Sequence, residues 1–189
     1  MNALKTIVRF LLRLLMSPFR FFNKQRNGIA SSEVRHELPN DAFLGLVSEK
    51  LAEGHTAVIW VKGYSMRPFI EFGRDKVKLA TAAAYQVGDA VLAEIAKGHY
   101  VLHRIIKVDG NKLTLQGDGN VRGVEHCTMA DVRGVVTEYI RPNRTLSADD
   151  ACLKRKIRIW RTLFPIRRYL LAIYKETLSP LPLYGEDPF

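Results

Sequence analysis

Three short segments of this chain hold residue types that together can activate a hydroxyl. Ser65 lies in Gly63-Tyr64-Ser65-Met66-Arg67-Pro68, directly after the apolar run TAVIWVKG. A strand that ends there exposes the hydroxyl, because Pro68 has no ladder N–H and Gly63 permits close backbone approach. A serine hydroxyl is a weak nucleophile until a neighbouring base takes its proton, commonly a His or an uncharged Lys. His103, within YVLHRIIKV, falls on the same strand face as Val101 and Ile105, which could shield an imidazole from water. Asp118, in Gly117-Asp118-Gly119-Asn120, follows the next strand and could accept an imidazole N–H or simply shape a turn. Taken singly, each residue also has a plain structural reading as a turn hydroxyl, a core histidine or a turn carboxylate.

The elements that must position these residues are mostly strands. One helix is predicted from about Asp41 to Ala52, capped by Asn40 or Asp41 and stopped by Gly54. After it come TAVIWVKG, KVKLA, DAVLAEI, YVLHRIIKV, KLTLQG and VRGVVTEYI, short runs rich in β-branched and apolar residues, separated by Gly, Asp and Asn. The turn at Asp109-Gly110-Asn111 predicts a hairpin across VLHRIIKVDGNKLTLQGD. The expected architecture is mainly β, a small coiled β-domain with flanking amphipathic helices.

Five segments follow: a basic amphipathic segment at 1–30, a helix leading into the domain at 31–56, the β-domain at 57–140, a linker at 141–152, and a basic amphipathic tail with a Pro-rich end at 153–189. The 47% apolar content suffices for an ordinary buried core in a chain of 189 residues. The net charge of +10 belongs to the ends. Residues 1–30 carry six Lys/Arg and no acid, residues 31–152 carry 15 basic and 16 acidic side chains, and residues 153–189 carry eight and three. Such a division points to a polyanionic surface touched by the ends rather than a basic groove across the middle.

Lys5, Arg9 and Arg13 recur at helical spacing opposite Ile7, Val8, Leu11, Leu12 and Leu15, and Pro18 ends or kinks that helix. The stretch from Leu153 to Leu178 repeats the chemistry around Pro165, with Trp160 and Tyr169 able to sit at a bilayer interface. Residues 1–24 and 153–178 are therefore expected to lie on an anionic membrane surface, or to pack on the domain. Arg9, Arg13, Pro18 and Arg20 interrupt the best candidate for a spanning helix, and Arg13 splits any secretory h-region. Cys127 and Cys152 form neither a metal-like pair nor a disulfide framework. A reduced, cytoplasmic protein, peripheral at the inner membrane face, is the expectation, with no metal or organic cofactor.

In order and spacing the motifs resemble the peptidase domain shared by LexA-type self-cleaving proteins and type I signal peptidases. Gly63 to Pro68 look like the family's serine box, Val87-Gly88-Asp89-Ala90-Val91 like the next, Val101-Leu102-His103-Arg104-Ile105 like its base box, and Gly117 to Asn120 like its last. The resemblance covers roughly Ala57 to Tyr139 and implies a bent β-fold in which the serine strand end faces the base strand. A histidine in the base box is similar to the signal peptidases of the endoplasmic reticulum and their bacterial relatives, whereas LexA-type and typical bacterial enzymes have a lysine. Lys97 and Lys107 are the fallback bases. Histidine-type relatives place their acid six residues beyond the Asp of GDGN, which here is Val124, with Glu125 next. The acid is thus Asp118 or, as the alternative, Glu125, with Asp131 a third candidate.

The implied function is a serine endopeptidase acting on a peptide or pro-protein through an acyl-enzyme, with Ser65 as nucleophile, His103 as base and Met66 and Pro68 at the substrate. Substrate would pair in extended form beside Ser65, with small residues before the cut. Self-cleavage within Asn27 to Ser32 is a variant of the same chemistry. Two other classes compete: a catalytically silent β scaffold binding a membrane or partner, and a LexA-like self-cleaving regulator. Nucleic acid is the less favoured partner, since residues 31–55 offer one helix and no helix-turn-helix.

Overall fold

The computed structural model describes residues 40–177. The predicted N-terminal amphipathic helix, the NGIASS stretch and the Pro-rich end lie outside the described residues. The predicted helix is present as α1, Asn40–Ala52, and the chain leaves it through Gly54 at φ +86°, a conformation that favours glycine.

Eight strands follow: β1 Ala57–Trp60, β2 Lys76–Ala80, β3 Ala90–Ala96, β4 His99–Asp109, β5 Lys112–Gln116, β6 Glu125–Thr128, β7 Val132–Arg141 and β8 Arg144–Ser147. They form one antiparallel sheet in the order β1-β2-β7-β3-β4-β5-β6, with β8 added to β7. The mainly β expectation holds, and each of the six predicted runs is a strand. The β4–β5 hairpin closes through Gly110 and Asn111 between the paired Asp109 and Lys112. Strand β7 organises the sheet: its first half pairs with β3, and its second half lies between β2 and β8.

Strands alternate their side chains between two faces, and each face buries an apolar cluster. One holds Val91, Ala93, Ile105, Leu113, Leu115, Cys127 and Val132. The larger one joins Leu44 and Leu51 of α1, Phe69 and Ile70 of the segment after Ser65, and Leu79 and Val136 of the sheet. It also takes in the C-terminal helices α2, Ala151–Thr162, and α3, Arg167–Thr177.

Two expectations about the tail change. Residues 141–152 are not a linker: β8 lies inside them and pairs with β7, leaving only a turn and the α2 cap, where Asp150 accepts the Leu153 N–H. A four-residue edge strand with one inward side chain, Leu146, shows no apolar run to read in the sequence. The amphipathic stripe of the tail is also not free for a bilayer. Leu153, Ile157, Trp160, Leu170 and Tyr174 are buried in the domain core, and Trp160, expected at an interface, is fully enclosed. Among the described residues no helix is long and apolar enough to cross a membrane.

Both cysteines are free, Cys127 buried and Cys152 exposed, and burial pushes the Cys127 thiol up to about 11. A thiol-reactive dye at pH 8 should therefore label the native protein once, at Cys152, and reach Cys127 only on unfolding; two equally fast labels would contradict this packing. Trp160→Ala should cost about 3 to 5 kcal/mol and lower the melting temperature by on the order of 10 °C, read by circular dichroism.

Candidate active site

Ser65 is half-buried in a tight turn that starts after β1. Its backbone is held from below: the Arg67 N–H donates to the Tyr64 carbonyl (3.2 Å), and the Phe69 and Ile70 N–H groups donate to that of Met66 (3.1 and 3.0 Å). Met66, Pro68, Phe69 and Ile70 are buried, so the apolar residues that follow the serine anchor the turn and leave Tyr64 and Ser65 facing outward.

The turn is seated on the GDGN loop. The Gly119 N–H donates to the Ser65 carbonyl at 2.7 Å. A Cβ on Gly117 would stand 2.4 Å from that carbonyl oxygen, and one on Gly119 would stand 2.8 Å from the Tyr64 oxygen. Neither distance is tolerated between real atoms, so both glycines are required for the two backbones to touch.

Gly117 also lies at the end of β5, one step beyond the Arg104–Gln116 pair, and the register brings it level with His103. The backbones of the serine turn, the GDGN loop and the His103 position of β4 are therefore close at one corner of the sheet, but no hydrogen bond joins the Ser65 hydroxyl to the His103 ring. His103 is buried, and its Nδ1 stands 2.8 Å from Glu125 Oε2 at the start of β6. That contact leaves Nε2 as the ring nitrogen free to serve a second group.

Asp118 does not meet His103. Its carboxylate accepts from Arg104 Nε at 2.8 and 3.0 Å and from Nη2 at 2.5 Å, and Arg104 Nη1 donates to the Gly88 carbonyl at 2.7 Å. Arg104 is fully enclosed; burial alone would favour its neutral form, yet Asp118 holds the guanidinium firmly charged, raised above its ordinary value. Alternation explains the division of labour: His103 and Arg104 are successive strand residues and point to opposite faces. The acid of GDGN serves one and Glu125 serves the other.

The remaining candidates are engaged elsewhere. Lys97 is exposed in the β3–β4 turn, and Lys107 pairs with Asp109 at 3.1 Å. Asp131 accepts from the N–H and hydroxyl of Thr128, both at 2.7 Å, and those bonds hold its carboxyl below the usual range.

A set of supporting residues was not legible beforehand. Glu71 accepts from Arg67 Nε (2.9 Å) and from the Tyr174 hydroxyl (2.7 Å), tying α3 to the serine turn. Burial, then Glu71, pushes the Tyr174 phenol well above its ordinary value. Arg141 Nη2 donates to the Phe69 carbonyl at 2.8 Å, and burial lowers this guanidinium to about 10. From α2 and α3, Trp160 Nε1 donates to the Asp118 carbonyl (2.8 Å) and Arg167 Nη1 to that of Asn120 (3.1 Å). The one sequence signal for any of these is the Arg104 position itself, an inward-facing cation that demands a buried acid. Among the described residues no cluster of His, Cys, Asp or Glu could hold a metal ion.

Removing Asp118 and removing Glu125 should have opposite signatures. Asp118→Ala strands a buried guanidinium and should cost about 3 to 5 kcal/mol of stability. Glu125→Gln leaves a side chain that is 25% exposed and can still hydrogen-bond His103, so its loss should stay below about 1 kcal/mol. Urea unfolding of the two variants checks the ranking, and equal losses would contradict it.

Comparison with known proteins gives no matching family model, no similar curated protein and no similar solved structure.

Proposed function

We propose that this chain is a serine endopeptidase resembling the LexA and type I signal peptidase family, in which Ser65, His103 and Glu125 form the catalytic group. The observation that carries the reading is the 2.8 Å contact between the buried His103 Nδ1 and Glu125, at the corner where the Ser65 turn sits on Gly117 and Gly119. A carboxylate on one ring nitrogen selects the tautomer whose other nitrogen can accept a proton.

In this mechanism the Ser65 hydroxyl attacks a peptide carbonyl and passes its proton to His103 Nε2. Glu125 stabilises the resulting imidazolium through Nδ1–H. The tetrahedral intermediate expels the amine, which takes the proton from His103 and leaves an acyl group on Ser65. Water, deprotonated by the same imidazole, then releases the acid and restores the serine. The developing oxyanion is served by the Ser65 N–H, at a position fixed by the turn beneath it; one such donor contributes about 3 to 4 kcal/mol. Asp118 takes no part in proton transfer and acts as the buried partner of Arg104.

The substrate is an extended peptide with a small residue before the scissile bond, lying beside the outward-facing Tyr64 and Ser65; Met66 and Pro68, expected at the substrate, are buried and act only by anchoring the turn. Cleavage of such peptides by the wild-type protein should fall by roughly 10³-fold or more in Ser65→Ala and His103→Ala, and by at least about 10²-fold in Glu125→Gln. Steady-state kcat/KM with a panel of fluorogenic peptides checks this. No turnover by the wild-type chain, or equal turnover by all four proteins, refutes the assignment.

A further inference from the structure

Residues 151–175 carry eight Lys/Arg and no Asp or Glu. The fold sorts those cations into two groups. Lys156 and Arg167 are buried, Arg161 reaches the Ile106 carbonyl at 3.1 Å, and Lys154 pairs with Asp149 at 2.6 Å. Arg155, Arg158, Arg168 and Lys175 remain exposed, and among the described residues none of the four has a carboxylate partner. Apolar side chains protrude on the same helical unit, where α2 gives way to α3 through the short 3-10 turn Phe164–Ile166. Ile159 is 39% exposed, Phe164 43%, Ile166 46% and Tyr169 60%, with the Arg168 guanidinium 5.0 Å from the Tyr169 ring centre.

We propose that the outer surface of α2, α3 and the turn between them docks on an anionic bilayer, with Phe164, Ile166 and Tyr169 entering the headgroup boundary and Arg155, Arg158, Arg168 and Lys175 meeting lipid phosphates. This surface lies opposite the apolar stripe that the sequence pattern offers, because that stripe is consumed by the domain core.

Charge selects the occupant. Residues 1–30 hold six Lys/Arg and no acid, so the N-terminal segment is repelled from this surface, and a second copy of the chain would bring the same cations. A nucleic acid would satisfy the cations but leave Ile159 and Ile166 without a use. A lipid interface takes both kinds of side chain at once, with aromatic and aliphatic groups at the acyl boundary and cations at the phosphates. The proposal is independent of whether Ser65 is a nucleophile.

The test is sedimentation of the full chain with phosphatidylcholine vesicles, with and without phosphatidylglycerol. The protein should bind the phosphatidylglycerol vesicles and lose binding in 0.5 M salt, where screening is on the order of a few ångströms. Arg155→Glu/Arg158→Glu should weaken partitioning by at least about 20-fold, and Ile166→Ser/Tyr169→Ser by roughly tenfold. Unchanged circular dichroism and melting temperature establish that the variants fold, and Arg155→Ala/Arg158→Ala is the milder replacement if the reversal perturbs α2. Absence of binding by the wild-type chain overturns the proposal, as does binding of both surface variants as tight as that of the wild type. Tighter salt-matched binding to duplex DNA or RNA, lost in the same variants, also overturns it in favour of a nucleic-acid surface.

Discussion

The contact on which this structure turns is the buried ion pair of Arg104 and Asp118. A guanidinium with no solvent contact is tolerable only when its N–H groups are satisfied, and here Asp118 and the Gly88 carbonyl supply the acceptors. Asp118 must therefore stay where it is, and with it the GDGN loop. That loop carries the Ser65 turn through the Gly119 N–H, and the Asp118 carbonyl receives the indole of Trp160, so strand, loop, turn and C-terminal helix share one anchor. A buried pair of this kind adds little net stability over an apolar replacement, because desolvation offsets most of the attraction. Its value is geometric: the planar fork admits few arrangements of the two chains that it joins.

The C-terminal helices are the second constraint. They close the larger core cluster and reach the site from behind through Trp160, Arg167 and Tyr174. A tail that looks like an appendage in composition is thus part of the domain. Its charges are sorted by depth: those that face inward find carbonyls or enclosure, and those that face outward remain solvated. Amphipathic periodicity identifies which face of a helix is apolar, but a protein core and a bilayer satisfy that face equally well, so the pattern does not choose between them.

How much could be read in advance varied with the kind of signal. Long β-branched runs bounded by glycine and Asp-Gly turns identified six strands and the β4–β5 hairpin, since period and turn chemistry act locally. β6 and β8 are not marked in the sequence because EHCT and RTLS, unlike the equally short AVIW of β1, contain no apolar run. Among site residues, Ser65 and His103 stood out by motif, and Glu125 was weighed against Asp118 on spacing alone. Spacing could not decide between them, because Asp118 follows β5 directly while Glu125 begins the next strand, and either could reach His103 along the chain.

The sequence by itself determined six of the strands, the β4–β5 hairpin and the basic ends. Those are local properties of residue type and period. The close backbone approach expected at Gly63 is made instead by Gly117 and Gly119. Only the tertiary structure decided which acid faces which base. Side-chain alternation along β4 sends His103 and Arg104 to opposite faces, and each buried group then takes the carboxylate on its own side, Glu125 for the imidazole and Asp118 for the guanidinium. It likewise decided that the apolar stripe of the tail belongs to the core, because an exposed sheet face and an amphipathic helix each lower their free energy most by covering the other.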